Sequence, residues 1–214
     1  MASTPGRLVQ VPPFRFAVVS CGRTSDRDEC LYRGAYPSLR NFPFLSGLGL
    51  ASVVSIVKGG LSGLTVDLIE FCKHERIRLI VINLGEESKI PSVASVTRVL
   101  GLLADRRNLP AYVHCVDGGL ATGVFVMCLR MMQHWSIESM SAEYSRFVKE
   151  GNVPSEVRNF VVSTFRASNV DLPVAKRASS EGENEDDNVA GDDAFSTMIA
   201  SWVTFKPFAD ASSG

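Results

Sequence analysis

Three short runs do most to limit the fold of this chain: Ser52-Val-Val-Ser-Ile-Val57, Leu79-Ile-Val-Ile82 and Ala111-Tyr-Val-His114. They are nearly continuous in apolar and β-branched residues rather than alternating, the pattern of strands covered on both faces. Each is followed by a segment of helical character. Leu64 to His74 carries Leu64, Leu68 and Phe71 at helical spacing. Pro91 opens a helix to about Arg107, with Pro110 beyond its end, and a long apolar helix spans about Leu120 to His134. Strands alternating with helices require right-handed crossovers and give an α/β fold: a central, mainly parallel sheet of about five strands flanked by helices. Phe14 to Val19 and Leu31 to Ala35 supply the other two strands, with a polar loop, Gly22 to Glu29, between them. Residues 38–50 read as a short helix, and Gly59, Gly60 and Gly63 break the chain after the 52–57 strand. Helices over Ile137 to Glu150 and Pro154 to Phe165, with Ser136 and Ser155 at their starts, make the last three helices a layer on one face of the sheet.

Beyond the domain, read as residues 14–168, the composition changes. Residues 1–13 form a flexible lead-in containing Pro5, Pro12 and Pro13. Residues 169–194 form an acidic, disordered linker, and residues 195–214 contain an apolar segment, FSTMIASWVTFKPF. Residues 1–178 carry a net charge of +6 and residues 179–214 carry −7. The acidic block is either a solvated tail or one that folds back on a basic face. The apolar segment docks on its own domain, binds a partner, or has no fixed structure. No apolar run reaches the roughly 18 residues that cross a bilayer, and MASTPGRLVQVPPF lacks the apolar stretch of a signal peptide. Five cysteines (Cys21, Cys30, Cys72, Cys115, Cys128), without a CxxC pair, argue against a disulfide framework and against a zinc site. The expected compartment is therefore the cytoplasm, with the nucleus second. No cofactor, metal or nucleic-acid pattern is present.

The chemistry concentrates in Val113-His-Cys-Val-Asp-Gly-Gly-Leu-Ala-Thr-Gly123. A buried strand ends in His-Cys, a glycine-containing loop follows, and a helix begins. That order aims backbone N–H groups and the positive end of a helix at one point, an anion cradle. A cysteine at its centre is expected to ionise readily and to attack a bound phosphate.

His114-Cys115-x5-Ala121-Thr122-Gly123 resembles the HCx5R(S/T)G signature of protein tyrosine and dual-specificity phosphatases. Leu31-Tyr-Arg-Gly-Ala-Tyr-Pro37, Asn41-Phe-Pro-Phe-Leu45, Trp135-Ser-Ile137 and Glu143-Tyr-Ser-Arg-Phe147 extend the likeness to the plant and fungal atypical dual-specificity phosphatases, over residues 8–166. The resemblance implies a cysteine-phosphatase fold. It also implies activity on phosphotyrosine or inositol pyrophosphates in working members, and degraded sites in fungal relatives that join multi-protein assemblies. It gives Cys115 the nucleophile position. His114 would bond the loop backbone, Thr122 would bond the Cys115 sulfur, and Gly118 and Gly123 would serve the tight turn and close helix packing.

The departures matter as much. Ala121 stands where the family's phosphate-binding arginine belongs, and alanine offers neither charge nor donors. The intervening residues are Val116, Asp117, Gly118, Gly119 and Leu120 rather than a basic set. Asp117 should repel a phosphate dianion. The family's proton donor falls in Leu84-Gly-Glu-Glu-Ser-Lys-Ile-Pro91, where Ile90 matches the acidic position and Glu86 or Glu87 is the remaining candidate acid. Three readings stay open. One is a pseudophosphatase acting as a binding or scaffold subunit, pairing with active relatives or a protein complex. Another is a slow phosphatase in which Arg23, Lys58 or Lys89 reaches the phosphate. The third is a redox or other thiol role for Cys115, against the plain alternative of a buried packing residue.

Overall fold

The computed structural model describes residues 10–23, 28–85 and 87–165. The expected linker and C-terminal segment lie outside the described residues, as does Glu86. Five strands form one sheet: β1 (Ala17–Arg23), β2 (Asp28–Ala35), β3 (Ser52–Lys58), β4 (Arg78–Leu84) and β5 (Ala111–Cys115), in the spatial order β1-β2-β5-β3-β4. β2, β5, β3 and β4 run parallel and β1 is antiparallel to β2. The helices are α1 (Phe42–Ser46), α2 (Val66–His74), α3 (Val93–Ala104), α4 (Leu120–Met132), α5 (Ile137–Ser145) and α6 (Ser155–Asn159), which passes into a π-helical turn, Phe160–Phe165.

The unbroken apolar strands are explained by two-sided burial. In β3, Val54 and Ile56 join one core layer, with α3, α4, α5 and α6, while Val53 joins the other, with Leu45, Leu68 and Phe71 of α1 and α2. Every residue of α4 from Ala121 to Met132 is buried, so it is the central helix of the larger layer. Each fully buried large apolar side chain contributes about 1.5–3 kcal/mol, and this layer holds the helix that carries the loop. The one charged residue in α4, Arg130, is satisfied. It gives Glu143 two hydrogen bonds of 2.8 Å, gives the Val19 carbonyl one of 2.6 Å, and lies 4.2 Å from the Trp135 ring centre. Ser136 caps α5 by accepting the Ser139 N–H.

Several expected boundaries shift. The first strand starts at Ala17 because Pro13 to Phe16 form a turn, and it continues through Cys21 to Arg23, where a loop was expected. The helix expected over 38–50 is a 3-10 turn, Leu39–Asn41, plus α1, which stops before Gly47 and Gly49. Residues 10–13 are not a free lead-in, since Asn41 Nδ2 donates to the carbonyls of Val11 and Pro12. α5 ends at Ser145 rather than near Glu150. Cys21 and Cys30 face each other across the β1–β2 ladder, with Cα atoms 4.0 Å apart, a cross-strand register that cysteine count and CxxC spacing do not reveal. Cys72, Cys115 and Cys128 are free and buried.

Candidate active site

β5 is the centre strand, flanked by β2 and β3, and its last residue is Cys115. Residues 116–119 turn directly into α4, whose first helical bond runs from Gly123 N–H to the Gly119 carbonyl at 2.7 Å. The Tyr36 N–H holds the Val116 carbonyl at 3.2 Å, tying the loop to the end of β2. Two glycines are required by contact. At Gly118 φ is +71°, and a Cβ would stand 2.5 Å from the Gly34 carbonyl carbon and 2.6 Å from the Ala35 nitrogen. At Gly123 a Cβ would meet the Tyr144 ring at 2.6 Å.

The residues beneath the loop come from distant segments. Arg33 in β2 is 1% exposed; its Nη2 donates to the Gly118 carbonyl at 2.8 Å and its guanidinium lies 3.8 Å from the Phe147 ring centre. Burial lowers its pKa to about 10, against the upward pull of Glu143, Cys115 and Tyr144. Nothing in the sequence singled Arg33 out, although a lone cation between Leu31 and Ala35 in a strand with buried neighbours was the available signal. His114 is fully buried, and its Nε2 shares a 2.8 Å hydrogen bond with Ser55 Oγ of β3. Ser55, too, was not anticipated. Burial pushes the His114 pKa down to about 3, opposed by a weaker upward pull from the Cys115 backbone. The ring is therefore neutral and acts as a fixed strut between strands. Thr122 Oγ1 is buried and makes no hydrogen bond to the Cys115 sulfur.

That sulfur instead meets Asp117. The Cys115 thiol donates to Asp117 Oδ1 at 3.4 Å, and the Gly119 N–H donates to the same oxygen at 3.0 Å. Arg15 Nη1 donates to Oδ2 at 2.8 Å and to the Asp117 carbonyl at 3.0 Å. Burial would raise the Asp117 carboxyl pKa, but the Gly119, Cys115 and Arg15 contacts together hold it below the usual carboxylate range. The sequence placed Asp117 at the rim of the cradle as a repelling charge; in the structure its side chain is turned onto the loop's own donors. Arg15 was not among the cations considered.

Cys115 and Ala121 share an open cleft of about 330 Å³ with Ile56, Lys58, Leu84 and Lys89. Val116, 73% exposed, Asp117 and Leu120 form its loop-side wall. Of the three cations weighed for reaching a phosphate, Lys58 and Lys89 line this cleft, whereas Arg23 pairs with Asp28 in the β1–β2 hairpin. Glu87 is exposed and is not part of the cleft lining, although its neighbours Ser88 and Lys89 are. Ile90 packs against the larger core layer. No group of acidic, histidine or cysteine side chains among the described residues is arranged to hold a metal ion. None of the described helices is long and apolar enough to cross a membrane.

Comparison with known proteins agrees with this geometry. The family model described as "Tyrosine phosphatase family" matches residues 10–177. OCA6 of Saccharomyces cerevisiae, classed by name with the tyrosine-protein phosphatases, is 30% identical over 169 residues, covering 72% of this chain and 70% of its own length. Inositol diphosphatase DSP1 of rice (Oryza sativa subsp. japonica) is 31% identical over 157 residues, covering 72% of this chain but 65% of the rice protein, just under two thirds. Among solved structures, the core catalytic domain of the PP-IP phosphatase SIW14 from S. cerevisiae, in complex with citrate, superposes with a TM-score of 0.61 at 25% identity. It covers 72% of this chain and 86% of that one.

Proposed function

The chain belongs to the tyrosine phosphatase family, and we propose that it is a catalytically impaired member that serves as a binding or scaffold subunit. One observation carries this reading: Ala121, 4% exposed, lies in the wall of the Cys115 cleft at the place of the family's arginine. A guanidinium grips two phosphoryl oxygens at once and holds them as charge moves in the transition state. Arginines in phosphoryl transfer are worth about 10³–10⁵ in rate, roughly 4–7 kcal/mol of barrier. An alanine methyl recovers none of it. Glu87 is exposed outside the cleft lining and Ile90 stands at the acidic position, while Asp117, the carboxylate among the described residues that does line the cleft, is already bonded to the Gly119 N–H and to Arg15.

The relatives' chemistry suggests a phosphorylated ligand, phosphotyrosine or an inositol pyrophosphate, bound without turnover, and active family members as partners. A second reading has its own observation. Lys58 and Lys89 both line the cleft over Cys115, and two ammonium groups in place of one guanidinium would leave a slow enzyme on highly charged substrates. Aryl phosphate and inositol pyrophosphate hydrolysis, measured beside Cys115→Ser and Ala121→Arg, decides between them. The impaired reading expects wild-type rates equal to those of Cys115→Ser, and a gain of at least about 10³ for Ala121→Arg if the lost clamp is restored. Cys115-dependent turnover by the wild-type chain would overturn it.

A further inference from the structure

The phosphate loop is not an empty ring of donors. Asp117 places Oδ1 on the Gly119 N–H and the Cys115 thiol, and Oδ2 on Arg15. An ordinary turn closed by an aspartate side chain needs only the first of these bonds. The thiol and guanidinium contacts add the partners that an oxyanion poised for attack would need: an amide, the nucleophile and a cation. Arg15 comes from the turn before β1, 102 positions away, and holds a left-handed backbone, φ +55°. Hydrogen bonds from Phe16 N–H to the Pro13 carbonyl and from Ala35 N–H to the Phe14 carbonyl at 2.8 Å fix that turn beside the loop. A non-glycine residue persists in that conformation only where its surroundings over-determine it. Asp117 lines both the Cys115 cleft and a larger cavity of about 690 Å³ whose other charged residues are mixed, Arg15, Lys89 and Lys149 with Glu150 and Glu156.

We propose that the Asp117 carboxylate is the built-in occupant of the anion cradle, and that Arg15 is the loop's cation in place of the side chain missing at position 121. Asp117 then decides what the loop refuses. An incoming phosphate or sulfate must displace a carboxylate that already holds the amide, the thiol and the guanidinium. This rests on the reading that the native loop does not turn over phosphate esters, and it names the device that keeps them out.

The test uses the full-length chain, labelled with ¹⁵N, titrated with inorganic phosphate and separately with sulfate. The readout is the amide signals of Gly118 and Gly119, with thermal melts to confirm folding. Asp117→Ala should bind either ion saturably and at least about tenfold more tightly than the wild-type chain, the scale of one charge-assisted hydrogen bond. Asp117→Asn keeps the side chain's shape without its charge. It should fall between the two, and it serves as the test protein if the alanine variant unfolds. Adding Arg15→Gln to either variant should remove most of the gain. Equal affinity of wild type and Asp117 variants, or a gain indifferent to Arg15, overturns the proposal. Either result leaves the impaired-enzyme reading standing, because that reading fails only on Cys115-dependent turnover.

Discussion

Arg33 and Gly118 are joined by a 2.8 Å hydrogen bond from guanidinium to loop carbonyl across 85 positions of sequence. The loop is thus held from below by a cation that faces away from solvent and stacks on Phe147.

Replacing Arg33 by lysine keeps the charge but loses the planar stack and the fork. A desolvated cation–π contact is worth about 2 kcal/mol, so Arg33→Lys should lower the melting temperature by roughly 4–8 °C in a domain of this size. Calorimetry on the full chain measures it. An unchanged melting temperature would mean that the guanidinium is not a support.

Gly118 and Gly151 offer a matched pair. Both have positive φ, +71° and +66°, but a Cβ at Gly151 meets nothing within 4 Å while one at Gly118 strikes the backbone of Gly34 and Ala35. Gly151→Ala should cost only the left-handed strain, about 1–2 kcal/mol. Gly118→Ala should cost that and at least another ~1–3 kcal/mol for overpacking against backbone that has no room to yield. Equal losses in urea denaturation would show that the close approach of the loop to β2 is not required.

The pH dependence of stability should carry the signature of His114. Its folded pKa is pushed down to about 3 by burial, whereas an unfolded imidazole titrates near ~6.5. Between those values the unfolded chain binds a proton that the folded chain does not. Stability therefore rises with pH across this window and falls as pH drops from about 6.5, by at most ~1.4 kcal/mol per unit. Asp117, whose carboxyl is also held below its ordinary range, adds a loss only below about pH 4, so the two windows separate. Urea denaturation between pH 7 and 4.5 should show this slope in the wild-type chain and a flatter one in His114→Asn.

Glu143→Ala should be the most damaging single change on α5. It would strip the bidentate carboxylate from Arg130, which is 6% exposed and keeps only Gln133 and the Val19 carbonyl as polar partners. Breaking one side of a buried ion pair costs about 3–5 kcal/mol. The exposed Glu138 in the first turn of the same helix should cost under ~1 kcal/mol when replaced by alanine. Comparable losses at the two positions would refute the pairing.

What the chain announces in its own order is local. The apolar runs of β3 and β5, the His114-Cys115 step at a strand end and the glycines before a helix were all readable, because strand burial and turn chemistry act over a few neighbouring residues. So was the loss at Ala121, once the spacing from Cys115 was counted. The supports of the loop were not readable. Ser55 reaches His114 over 59 positions, Arg33 reaches Gly118 over 85 and Arg15 reaches Asp117 over 102. Cys21 meets Cys30 only through the register of a hairpin. A side chain's partner across the fold is chosen by strand order and helix packing, and these arise from the summed burial of the whole core rather than from any residue's neighbours. The chain's own order therefore showed that Asp117 was an acid beside a phosphate loop. Only the folded sheet, bringing Arg15 to that loop, decided that the acid's carboxylate meets Arg15, the Gly119 N–H and the Cys115 thiol.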